Sequence, residues 1–223
     1  MRKIKTWEDP YGEGFSICKK SNITLEPGLT VLIGCNGTGK TTLLHNIEEE
    51  LKTKNIPVVM YDNLNEGGAS SRQDALFNNE LAFLATAAIS SEGENILMNL
   101  RRLAAKLKLF IDTGEFKNKQ NSFIDEKKKT HESKERWILL DAIDSGFSID
   151  NIIDLKEQLF NTIFKTARDK EVYIVISANE YELARGEKCF DVWQGKYVSI
   201  ETYDAYREAI LESRKQKDKR FVE

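Results

Sequence analysis

Gly34-Cys35-Asn36-Gly37-Thr38-Gly39-Lys40-Thr41 spells G-x-x-x-x-G-K-T directly after the apolar run Leu29-Thr30-Val31-Leu32-Ile33. Residues of these types at this spacing make a phosphate-binding loop. The glycines let the backbone curl so that successive N–H groups face one point. A helix starting at Lys40-Thr41-Thr42 would add partial positive charge at the same point. Lys40 would reach the β- and γ-phosphates, and the Thr41 hydroxyl would hold Mg²⁺. A Gly-rich turn without a ligand requires no such register of strand, loop, Lys-Thr and helix. The expected ligand is a nucleoside triphosphate, ATP with Mg²⁺, held by Asn36, Gly37, Thr38, Gly39, Lys40, Thr41 and Thr42.

A metal at such a loop needs a carboxylate fixed at the end of a buried strand. Asp141, after Trp137-Ile138-Leu139-Leu140, meets that need. The same residue could serve only to end a strand, but the phosphate loop favours the metal role.

Short apolar strands separated by helices must position these groups. Strands are expected at Phe15 to Cys18, Ile23 to Leu25, Leu29 to Ile33, Ile56 to Tyr61, Trp137 to Leu140 and Val172 to Ile176. A hairpin is expected over Phe190 to Ile200 with its turn at Gln194-Gly195-Lys196. Helices are expected at about Lys40–Lys54, Gln73–Ile89, Glu94–Phe110, Asp150–Asp169 and Asp204–Lys217, with a break at Ser90 to Gly93. The result is an α/β fold with a mostly parallel sheet under helices and short antiparallel strands near the N-terminus. Residues 72–136 read as a small helical subdomain, and the polar stretch 112–136 as an insertion within it.

The chain has 223 residues, 40% hydrophobic and 31% charged, enough for one sizeable domain. A net charge of −3 gives no global field to recruit nucleic acid. Cys18, Cys35 and Cys189 lack metal-ligand spacing and suit a reducing compartment. No apolar run of membrane-spanning length or leader segment is evident, so a cytoplasmic protein without membrane insertion is expected. The tail Arg214 to Arg220 holds five basic residues in seven; it reads as a solvated helix end, with contact to nucleic-acid phosphates as the alternative.

Taken together, the segment Pro27 to Leu44, with its Asn-Gly pair, and the acidic strand end resemble the ATP-binding-cassette ATPases, in the soluble branch shared with chromosome-maintenance, DNA-repair and phage or defence enzymes. Gln73 lies near the Q-loop position, which would make it a metal contact. Ser90-Ser91-Glu92-Gly93-Glu94 is similar to the signature segment, which would put Ser91 and Gly93 on the γ-phosphate of a second copy. Ser91 to Glu94 is also a capping box that starts a helix, and both roles stay open. Asp141 to Gly146 resembles the metal-binding strand running into the D-loop, and Ile176 to Asn179 the switch-histidine region. The resemblance implies a P-loop NTPase that forms an ATP-dependent homodimer, with a protein effector or nucleic acid as further partner. Tyr11 or Phe15 would either stack on adenine or pack in the core.

Two departures bear on turnover. Ala142 stands where the family has a catalytic glutamate, and Ala178 where it has a histidine. Losing a general base costs about 10²–10⁴-fold in rate. Asp144 is the best substitute carboxylate and Glu180 a poorer one, which makes Lys40, Asp141 and Asp144 the expected catalytic set. Weak ATP hydrolysis and a non-hydrolysing ATP-binding module are the two functional expectations. A small-molecule kinase, with Arg101-Arg102 in a lid, is disfavoured by the signature and the hairpin.

Overall fold

The computed structural model describes residues 1–5, 20–62, 92–116, 131–145 and 147–219. Strand β1 (Arg2–Lys5) pairs antiparallel with β2 (Asn22–Leu25). Next come β3 (Gly28–Ile33), α1 (Lys40–Thr53), β4 (Val58–Asp62), α2 (Glu92–Thr113) and β5 (Glu135–Asp141). Helix α3 (Ile149–Asp154) continues through a π-helical turn (Leu155–Phe160) into α4 (Asn161–Ala167). After these come β6 (Glu171–Ser177), α5 (Tyr181–Ala184), the hairpin β7 (Lys188–Asp191) and β8 (Lys196–Val198), and α6 (Tyr203–Lys219).

The main sheet has the order β4-β5-β6-β3-β7-β8. Its first five strands are parallel, and β8 alone runs antiparallel, against β7. A parallel sheet must be covered on both faces, and the alternation of side chains sorts the core accordingly. Trp137 and Leu139 of β5, with Tyr173 and Val175 of β6, face α1 and the β1–β2 pair; Leu44, Leu51, Ile4 and Leu25 complete that layer. Ile138 and Leu140, with Ile174 and Ile176, face the other helices; Leu107, Phe110, Ile163 and Tyr206 fill that side. Trp137 and Tyr173, opposite each other in register, stack with ring centroids 4.0 Å apart.

The α/β fold with its mostly parallel sheet matches the expectation, and so does the antiparallel N-terminal pair. The partner of β2 is the Arg2–Lys5 segment; the expected strand at 15–18 lies outside the described residues. Two boundaries differ. Helix α2 starts at Glu92, so Gly93 lies in its first turn and the expected break does not extend that far. The polar stretch is also shorter at both ends, because α2 runs to Thr113 and β5 begins at Glu135. Arg136, read as part of an exposed excursion, is buried. Its Nε donates to the Ile111 carbonyl and its Nη1 to the Ser133 and Glu135 carbonyls, tying the end of α2 to the start of β5.

Candidate nucleotide site

The order β5-β6-β3 puts the carboxyl ends of three parallel strands side by side, the usual location of ligand sites in open α/β sheets. Leu32 of β3 is in register with Ser177 of β6, and Leu140 of β5 with Ile176. The loop after β3 and the acidic end of β5 therefore flank the end of β6. Residues more than a hundred positions apart in sequence reach one edge this way.

The loop closes on itself. Thr38 N–H and Oγ1 both donate to the Cys35 carbonyl, at 3.2 and 2.8 Å. A Cβ at Gly34 would sit 2.6 Å from Thr38 Oγ1, so this turn excludes any larger residue. Helix α1 begins with Gly39 at its N-cap and no side-chain cap. That arrangement leaves its first N–H groups and the dipole to attract an anion. Lys40, only 8% exposed, donates from Nζ to the Gly34 carbonyl at 2.7 Å. Burial lowers its pKa below the ordinary lysine value, and the nearby Cys35, Asp144 and Asp141 oppose that shift. Thr41 is exposed and Thr42 half-buried, while Asn36 and Gly37 form the loop's exposed arm.

The acidic half is built from side chains. Asp141 is buried and its Oδ1 accepts a hydrogen bond from Ser177 Oγ. The same hydroxyl oxygen accepts the Ala142 N–H at 2.8 Å. Ala142 has a φ of 49°, a conformation that leads the chain into the turn carrying Asp144. Asp144 is 2% exposed, and its Oδ2 accepts the Asn179 and Glu180 N–H groups at 2.7 and 2.8 Å. Burial raises its pKa above the ordinary carboxylate range, against the pull of those two donors and of Lys40. Asp62, in register with Asp141, adds another acidic residue at the end of β4. Asp141 and Asp144 thus both lie close enough to act electrostatically on Lys40.

Gln73 and Ser91 lie outside the described residues, as do Tyr11, Phe15 and Gly146. Ala178 is buried at the end of β6, its N–H donating to the Leu32 carbonyl at 3.1 Å. Sequence reasoning missed three contributors. Ser177 lies within the segment compared with a switch region but was given no role there, and its bond to Asp141 depends on the strand order. Ser213 and Lys217 of α6 both touch the phosphate loop. Ser213 Oγ accepts the Cys35 N–H at 2.9 Å, and Lys217 Nζ donates to the Asn36 carbonyl at 3.0 Å.

Among the described residues, no group of three or more His, Cys, Asp or Glu side chains could hold a metal. Mg²⁺ at phosphates needs no such cage, since it binds through one or two carboxylates and the phosphates themselves. An anchored Asp141 beside a glycine cradle and a buried lysine fits Mg²⁺ with a nucleotide. No described helix is long and apolar enough to cross a membrane.

No curated protein matches the chain in sequence. Among solved structures, a nucleotide-free ATP-binding cassette from an ABC transporter aligns with 95% of this chain and 97% of its own, at 13% identity and a TM-score of 0.48. The family model described as the KAP family P-loop domain matches residues 17–185, a span holding the phosphate loop, Asp141, Asp144 and Ser177. The chain belongs to the KAP family of P-loop NTPase domains.

Proposed function

We propose that the chain binds ATP with Mg²⁺ in the Gly34 to Thr41 loop and acts as a nucleotide-driven switch with slow hydrolysis. The observation that carries this reading is the buried convergence of Lys40, Asp141 and Asp144 beside an uncapped helix start. Loop amides and Lys40 bind the phosphates; the burial that lowers the lysine's pKa is offset when it faces phosphate oxygens. Thr41 and Asp141 would hold Mg²⁺, which supplies charge neutralisation between the β- and γ-phosphates. Ser177 fixes the Asp141 carboxylate, so the metal ligand is positioned before nucleotide arrives.

Slow turnover follows from what surrounds the attacking side. Ala142 and Ala178 carry no group able to take a proton from water. Asp144 is the acid taken to stand in for them, and its two backbone donors hold it in place. A second reading, an ATP-binding module that gates a protein effector or nucleic acid without hydrolysis, is favoured by that same engagement of Asp144. In either case the switch is proposed to work through an ATP-dependent homodimer in the cytoplasm, with Ser91 and Gly93 of one copy facing nucleotide on the other and Gln73 near the metal.

Steady-state phosphate release separates the two readings. Slow hydrolysis predicts release by wild type above Lys40→Ala, falling by about 10²-fold or more in Asp144→Ala. Release no greater than that of Lys40→Ala would leave the non-hydrolysing module.

A further inference from the structure

We propose that Lys217 is a phosphate-binding residue of this site, delivered by α6, and that it favours a triphosphate over a diphosphate. The inference rests on the nucleotide reading above.

Tyr206, Ser213 and Lys217 stand seven and four residues apart, so they share one face of α6. That face spans both halves of the site. Tyr206 is buried, and its pKa is raised by burial and then by the neighbouring Asp144 and Glu180. Ser213, also buried, accepts the Cys35 N–H and donates to the Ile210 carbonyl at 2.8 Å. These contacts seat the helix against the loop and aim Lys217 at the loop's exposed arm. There its Nζ donates to the Asn36 carbonyl at 3.0 Å, and a Cβ at Gly37 would lie 3.8 Å from it.

An ammonium has three N–H donors, and a single carbonyl uses one. Among the described residues, no carboxylate forms an ion pair with Lys217; its helix neighbours Lys215 and Arg214 pair instead with Glu212 and Asp218. A cation held half-buried at the rim of an anion-binding loop is placed to donate to phosphate. Gly37 has no side chain to screen it. A triphosphate carries more negative charge than a diphosphate, so the loss of Lys217 weighs more heavily on ATP.

The experiment titrates ATP and ADP, each with Mg²⁺, into wild type, Lys217→Gln, Lys217→Arg and Lys215→Gln. The glutamine keeps an N–H donor for the Asn36 carbonyl and removes the charge. The expected result is an ATP affinity about 10-fold weaker or more in Lys217→Gln, the scale of one charge-assisted hydrogen bond. A smaller loss for ADP, recovery in Lys217→Arg and no change in Lys215→Gln complete the expectation. Wild-type affinity in Lys217→Gln, or equal losses for ATP and ADP, would overturn the proposal while leaving nucleotide binding intact. Wild type that binds neither nucleotide, and so behaves like Lys40→Ala, would instead overturn the nucleotide reading itself.

Discussion

The two halves of the site are built by opposite means. The loop half is mostly backbone: a glycine cradle, an uncapped helix start and a lysine folded onto the Gly34 carbonyl. The acidic half is mostly side chain, cross-braced between two strands by Ser177 and by the two N–H groups that Asp144 receives. Backbone dipoles suit phosphate because they need only a chain path that few residues permit. A metal ligand must be oriented, which calls for hydrogen-bonding partners around the carboxylate itself. The loop half should therefore govern nucleotide affinity, and the acidic half the metal and the chemistry.

The larger effect that sharpens this division comes from Ser177→Ala. It removes the hydroxyl that bridges the Ala142 N–H and the Asp141 carboxylate, a loss of about 1–3 kcal/mol. The Mg²⁺ concentration needed for half-maximal ATP binding should rise about 10-fold, while ATP binding measured in EDTA stays at the wild-type level. An equal loss with and without metal would mean that the halves are not separable.

A smaller effect concerns pH. Burial raises Asp144 above its unfolded value, so the fold favours its protonated form. Its contribution is full below the unfolded pKa and is lost as pH rises through the folded pKa. Asparagine carries no such proton. Thermal melts should show wild type gaining on Asp144→Asn as pH falls from about 7 to about 4. A difference in Tm that stays flat across that range would show that Asp144 does not titrate with folding.

The same contrast explains what could be read from residue order. The loop half is contiguous, from Gly34 to Thr41, and its chemistry follows from local spacing. Asp141 was legible because an apolar strand leads into it. The brace by Ser177 was not, since it needs β6 to lie between β5 and β3, a fact of topology. Lys217 was harder still: it is 181 residues from Asn36 and sits in a basic tail that reads as solvated. Arg136 was misread for a related reason. Its strand starts inside a polar stretch, and only the fold brings its Nε to the Ile111 carbonyl of α2, 25 residues away.

Calorimetric titration of Mg²⁺ with ATP into wild type and Lys40→Ala tests the central claim most directly. Lys40 is the buried cation of the loop, and its replacement removes the charge proposed to meet phosphate while leaving the hydrogen bonds of Asp141 and Asp144 in place. The account predicts saturable binding at one site in wild type and a loss of about 100-fold or more in Lys40→Ala. Equal affinity in the two proteins, or no heat from wild type, would contradict it.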